Sequence, residues 1–188
     1  MTQRPARARR TVLSVPASSD RFVGRSVELD VDQVMLDLED GVAATAKDGA
    51  RAGAVEALRA WAWRAPTVSV RVNGWATPWT HRDVIDLVAG AGGRLDTVVL
   101  PKVAGAGHVQ ALDLLLTQLE RLHGLPVGRI GIEALIEDAG ALTRADEIAA
   151  ASPRLEALHV GPGDLMASLG LASLSVGALP DGYPGEIG

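Results

Sequence analysis

The chain has 188 residues, 47% of them hydrophobic and 22% charged, with a formal net charge of −5. That suits one globular domain with a sizeable core and gives no electrostatic case for nucleic acid. The absence of cysteine excludes disulfides and thiolate chemistry, and no apolar run approaches the ~18 residues of a membrane span, so a cytoplasmic protein is expected.

Arg4, Arg7, Arg9 and Arg10 crowd residues 1–10. An acid-free, Arg-rich start fits a transit peptide or a short disordered tail, and we read a basic tail because a strand begins at Thr11. From there strands and helices alternate. Residues 11–16 are a short apolar run stopped by proline, and residues 20–29 suit a short helix. VMLDLE at 34–39 is a second strand, followed by the loop Asp40-Gly41. Residues 48–63 are Ala-rich and helix-favouring, with Pro66 just beyond. TVSVRVN at 67–73 is a third strand, its Val68, Val70 and Val72 opposite Ser69, Arg71 and Asn73. A helix over 79–89 runs into the breaker at 90–93. TVVLPK at 97–102 is a fourth strand, and Val109, Leu112, Leu116 and Leu119 mark a helix over 107–122.

The fifth strand, IGIEALIED at 130–138, carries the sharpest signal. Ile130, Ile132, Ala134 and Ile136 share one face; Gly131, Glu133, Leu135 and Glu137 share the other. A parallel strand between two layers should be apolar on both sides. Burying Glu133 and Glu137 is costly without something positive nearby, so that face requires a charged partner, a metal or a polar pocket. Thr143 and Asp146 suggest a capping box for a helix over 143–151. LEALHVG at 155–161 is a sixth strand, residues 163–169 a short helix, and residues 177–188 a Gly/Pro-rich irregular tail.

Six such units mean an α/β fold with a parallel sheet, either doubly wound or a TIM (β/α)8 barrel. No glycine-rich phosphate turn follows the first strand, which counts against the doubly wound form. Charged residues gather at the C-terminal ends of strands: Asp37 and Glu39, Arg71, Glu137 and Asp164. That pattern predicts a barrel over 11–176, truncated after about six units, since a complete barrel takes about 250 residues.

Glu137 and Asp164 follow consecutive parallel strands. Two hard oxygen ligands with acids nearby suit Mg2+, which keeps its remaining positions for water and substrate. A helix-capping or salt-bridging role is the structural alternative for both. His81, His108, His123 and His159 lack ligand spacing and read as ordinary residues. Arg71 suits bidentate capture of a carboxylate, or an internal counter-ion role for Asp37 or Glu39. Lys47 and Arg51, one helical turn apart, read as packing and pairing residues against Asp37, Glu39 or Asp40. Trp61, Trp63, Trp75 and Trp79 read as core or interface anchors.

RTVLSVP at 10–16, LDLEDGVAATAKDGAR at 36–51, VRVN at 70–73, LPKV at 100–103, IEALIED at 132–138 and GPGDLMASLG at 161–170 occur in one order. Together they resemble the citrate lyase β-subunit-like proteins of the HpcH/HpaI aldolase family, which include malyl-CoA, methylmalyl-CoA and citramalyl-CoA lyases. The resemblance implies a TIM barrel and Mg2+-dependent carbon–carbon cleavage or formation on acyl-CoA esters with a 2-oxoacid partner. It implies Glu137 and Asp164 as metal ligands, Arg71 as the carboxylate-binding and catalytic group, and Arg21 as a coenzyme A contact. It also implies a homo-oligomer, a trimer in this family, and a catalytic base in a C-terminal segment beyond Gly188. Asp37, Glu39, Asp40, Lys47 and Glu133 are expected to support the site. GYPG at 182–185 points towards the CoA-ester lyases, while Ala104 after PKV and Ser14 in the first strand depart from the family pattern. A citrate lyase β-subunit acting on a carrier-protein thioester is the second enzyme reading, and a non-catalytic remnant or partner subunit the third.

Overall fold

The structure is a computed structural model that describes residues 6–171; the segment at 177–188 and Arg4 lie outside them. Six strands form one sheet in sequence order, with every neighbouring pair parallel. They are β1 (Val12–Pro16), β2 (Gln33–Asp37), β3 (Thr67–Arg71), β4 (Thr97–Leu100), β5 (Gly131–Ile136) and β6 (Leu155–Val160). Among the described residues seven α-helices follow or connect them: α1 (Asp20–Ser26), α2 (Lys47–Ala60), α3 (Thr80–Ala91), α4 (Ala106–Leu122), α5 (Ala139–Leu142), α6 (Ala145–Ala149) and α7 (Pro162–Ser168).

The valine and isoleucine alternation builds the core. Val34, Leu36, Val68, Val70, Val98, Leu100, Ile132 and Ala134 come into register on one face. They join Ala54 and Leu58 of α2, Val84 and Leu87 of α3, and Leu112 and Leu116 of α4 in a single buried cluster. The other face is polar, with Gln33, Ser69, Thr97 and Glu133 all buried. Gln33 on β2 reaches Glu133 on β5 at 3.1 Å. A flat sheet would separate those strands by about 14 Å, so the sheet curls with its polar face inward.

Several boundaries differ from the sequence reading. The first helix stops at Ser26, capped at its start by the Ser19 side chain. The third runs through Gly90, where an added Cβ would strike Val55 of α2; the missing side chain is a packing requirement between helices, not a breaker. The Thr143–Asp146 capping box does not form. Asp138 caps α5 by accepting from Ala141 N, while the Thr143 hydroxyl donates back to Gly140 O.

The basic start is also not loose over its described part. Arg7 pairs with Glu156 at 2.6 Å and Asp96 at 3.2 Å; Arg9 pairs with Glu156 at 2.7 Å and Glu133 at 3.0 Å. Arg10 forks onto Asp32. The disordered-tail expectation fails here because buried Glu133 and nearby Glu156 attract these cations. At the far end of the strand order β6 exposes Leu158 and Val160. Among the described residues no helix is long and apolar enough to cross a membrane.

Candidate functional site

The C-terminal ends of the strands carry the charged groups, as the sequence pattern predicts. Asp37 ends β2, Arg71 ends β3, and the two stand directly opposite in register. The Arg71 guanidinium forks onto Asp37, with Nε donating to Oδ1 at 2.7 Å and Nη2 to Oδ2 at 2.8 Å. Asp37 also accepts from Glu39 N at 2.8 Å and Gly41 N at 2.9 Å. A Cβ on Gly41 would sit 2.6 Å from Asp37 Oδ2, so this tight turn requires glycine. Burial would raise the Asp37 carboxyl, but Arg71 and the backbone donors outweigh it and hold it below its ordinary value. Of the two roles open to Arg71, the counter-ion role is the one visible here.

Lys47 anchors the loop after β2. Its ammonium donates to the carbonyls of Leu38 and Glu39, each at 2.7 Å, and lies 5.5 Å from the centre of the Trp79 ring. It therefore pairs with the loop backbone and not with the acidic side chains. Arg51 does not serve Asp37, Glu39 or Asp40 either. One turn further along α2 points it at α3, where it binds Asp83 at 2.8 Å. Asp83 in turn accepts from the Asn73 backbone and side chain, tying the end of β3 to α3.

Glu137 follows β5 and is buried; Asp164 lies half-exposed in the first turn of α7, after β6. Gly161 makes room for the Glu137 carboxyl: a Cβ there would fall 2.5 Å from Glu137 Cγ. The Ser168 hydroxyl donates to Asp138 at 3.0 Å and accepts from Ala139 N at 3.0 Å, which docks α7 against the end of β5. Burial first, and the facing Asp164 second, push the Glu137 carboxyl well above the usual carboxylate range.

Lys102 joins the two halves of this rim. Its ammonium lies 2.7 Å from Glu39, 3.3 Å from Asp40 and 3.7 Å from Asp164, and its backbone N–H donates to Glu137 at 3.2 Å. Sequence periodicity marks it only as the last residue of a strand. The signal was available, since Pro101 ends the apolar run and leaves Lys102 at the same rim as Arg71.

Asp37, Glu39, Asp40, Arg71, Glu137 and Asp164 thus share one rim. Glu133 does not belong to it. It lies four residues before Glu137, about 13 Å back along the strand, and its partners are Arg9, Gln33, Thr97 and His159. Arg21 stands exposed on α1, its guanidinium 5.8 Å from the centre of the Phe22 ring.

The donor set fits a hard divalent ion. Among the described residues no three carboxylates, imidazoles or thiols gather into a closed cage. Two carboxylates are what Mg2+ asks of a protein when it keeps water and substrate in its remaining positions. Buried Glu39 Oε2 lies 3.1 Å from Arg71 Nη1 but forms no aligned hydrogen bond, so the rim has acceptor capacity to spare.

Comparison with known proteins bears on the family. The chain is similar to the L-malyl-CoA/beta-methylmalyl-CoA lyase of Cereibacter sphaeroides, at 40% identity over 179 residues that cover 95% of this chain and 56% of the relative. It is similar to the citrate lyase subunit beta of Leuconostoc mesenteroides subsp. cremoris, at 36% identity over 79% of this chain and 48% of the relative. Among solved structures, protein CitE of Mycobacterium tuberculosis in complex with magnesium and acetoacetate superposes with a TM-score of 0.65 at 32% identity, covering 92% of this chain and 62% of that one. The chain spans about half the length of the curated relatives it matches. Residues 10–178 match the HpcH/HpaI aldolase/citrate lyase family, and the chain belongs to that family.

Proposed function

We propose that this rim serves a Mg2+-dependent carbon–carbon lyase that cleaves or forms 3-hydroxyacyl-CoA esters of the malyl-CoA or citramalyl-CoA type, giving a 2-oxoacid and a smaller acyl-CoA. The observation that carries this reading is the meeting of Glu137 and Asp164 at adjacent strand ends, on the rim that also holds Arg71. The architecture we infer is a (β/α)8 barrel to which these six strands contribute. The curl of the sheet and the polar inner face support it, as does the likeness to CitE.

Glu137 and Asp164 would hold the ion. When bound, it would polarise the 2-oxoacid carbonyl as a Lewis acid. Asp37 fixes the Arg71 guanidinium in one plane, so that Arg71 Nη1 faces the rim and can meet negative charge developing on the substrate oxygen. Asp37 accepts four hydrogen bonds, so it orients Arg71 and is a poor proton acceptor. Glu39 differs: Lys102 and Arg71 pair with it, but burial outweighs them and holds its carboxyl above its ordinary value. Arg21, exposed on α1, would meet a phosphate of coenzyme A.

Calorimetry of Mg2+ binding to the parent, Glu137→Gln and Asp164→Asn proteins tests the site. Binding in the parent that both variants lose supports it; unchanged affinity in both would end it. The 36%-identical citrate lyase subunit beta favours a second reading, a carrier-protein thioester as substrate. Product release from free malyl-CoA compared with a carrier-bound thioester decides between the two.

A further inference from the structure

Lys102 occupies an unusual position for a lysine. It is the one non-glycine residue with a positive φ among those described, at 52°. Such a backbone is uncommon for a residue with a side chain and is kept where the surroundings impose it. Here it does two things at once. It turns the N–H towards Glu137 at 3.2 Å, and it sends the ammonium across to Glu39 at 2.7 Å, Asp40 at 3.3 Å and Asp164 at 3.7 Å. One residue therefore touches both proposed ligands, one through its backbone and one through its charge.

We propose that Lys102 is the built-in counter-cation of the acidic rim, which holds Asp164 by its charge when no divalent ion is bound and must release it when one binds. This rests on the metal reading above and extends it to a residue that lowers metal affinity. The reasoning is electrostatic. Glu39, Asp40, Glu137 and Asp164 crowd one rim, and like charges there repel. A single ammonium between them relieves that repulsion. A dication entering beside Glu137 and Asp164 meets the same ammonium as a like charge, so ion and lysine compete for Asp164. The shortest contact, to Glu39, lies on the side away from the β5 and β6 ends, which leaves the lysine a place to withdraw to. The strained corner keeps the backbone N–H on Glu137 in either state, so that only the side chain has to move.

The test is Mg2+ binding by calorimetry to the whole chain, comparing the parent with Lys102→Met, Lys102→Gly and Lys102→Arg. Lys102→Met should bind Mg2+ about threefold to fivefold more tightly, a change of the size expected for losing one partly exposed like charge. Lys102→Gly should behave similarly and relieve the backbone strain. Lys102→Arg, which keeps the charge, should stay near the parent. A second measurement needs no variant. Acetylation of the parent, read at Lys102 by mass spectrometry, should be faster with Mg2+ present, because the freed ammonium loses its carboxylate shelter. If the parent binds Mg2+ in a manner that Glu137→Gln abolishes, while Lys102→Met binds no more tightly, the Lys102 proposal fails alone. An unchanged or slower acetylation with Mg2+ also overturns it. A parent that binds no Mg2+ removes the metal reading and this proposal together.

Discussion

Glu133 and Glu137 lie four residues apart on one face of the same strand run, both buried, and are held in opposite ways. Each oxygen of Glu133 takes two partners: Arg9 and Thr97 on Oε1, Gln33 and His159 on Oε2. Burial would raise its carboxyl, but those hydrogen bonds and the Arg9 charge pull it down to about 2. Glu137 receives one backbone N–H and faces another acid, and it is pushed up. A buried carboxylate with every oxygen satisfied is part of the framework. One short of donors beside a second acid is what the proposed metal site requires.

The contrast is most easily broken by removing each acid. Glu133→Ala leaves Arg9, Gln33 and Thr97 without their acceptor, and breaking a buried ion pair from one side costs about 3–5 kcal/mol. Glu137→Gln should change stability by less than about 1 kcal/mol while abolishing Mg2+ binding. Urea unfolding of the two variants compares them directly; equal losses would erase the distinction.

Acid unfolding sharpens the same point. The Glu133 carboxyl titrates near 2 in the folded chain against an ordinary 4.5, so between those values the unfolded chain binds more protons. Its contribution is fully present above about pH 4.5 and is lost as pH falls through 2. That contribution is about 3 kcal/mol. The parent should therefore lose more stability than Glu133→Gln over this interval, and parallel curves for the two proteins would contradict the pairing.

Gly161→Ala tests the other end of the strand. The new Cβ would crowd Glu137, at a cost of about 1–3 kcal/mol for overpacking. Calorimetry should show weaker Mg2+ binding, with circular dichroism reporting a folded chain. Unaltered affinity would mean that Mg2+ binding does not depend on where Gly161 lets the Glu137 carboxyl sit. The smallest effect is expected from Arg71→Lys, which keeps the charge and loses the fork on Asp37. Glyoxylate or oxaloacetate binding should weaken by about 1–2 kcal/mol, more than Mg2+ binding does. Parent-like 2-oxoacid binding would reduce Arg71 to a counter-ion.

Much of the framework was legible because its signals are local. Alternating valines in 67–73 and isoleucines in 130–136 mark strands whichever way the chain later turns. The nearness of Glu137 and Asp164 was legible for a related reason, since consecutive parallel strands are neighbours and their ends share a rim. The errors have one cause in common. Spacing along the chain puts Arg9 in a loose tail and Arg51 beside the acidic loop, yet they serve Glu133 and Asp83. Asp138, which periodicity puts at the end of a strand, caps the short helix α5, and the helix expected to start at Thr143 has no side-chain cap. In each case the partner is chosen by side-chain reach in space, not by periodicity.

The sequence by itself determined that six strand-helix units alternate, that one face of the sheet is apolar and the other polar, and that acids and an arginine collect where strands end. Those properties follow from side-chain alternation and from the cost of burying charge. Only the tertiary structure decided which cation neutralises which acid. The curl of the sheet brings β2 to β5, the residues before β1 to Glu133, and Lys102 to three carboxylates from one loop and a helix. Coulomb attraction and desolvation act over a few ångströms in space, and no spacing along the chain encodes those distances.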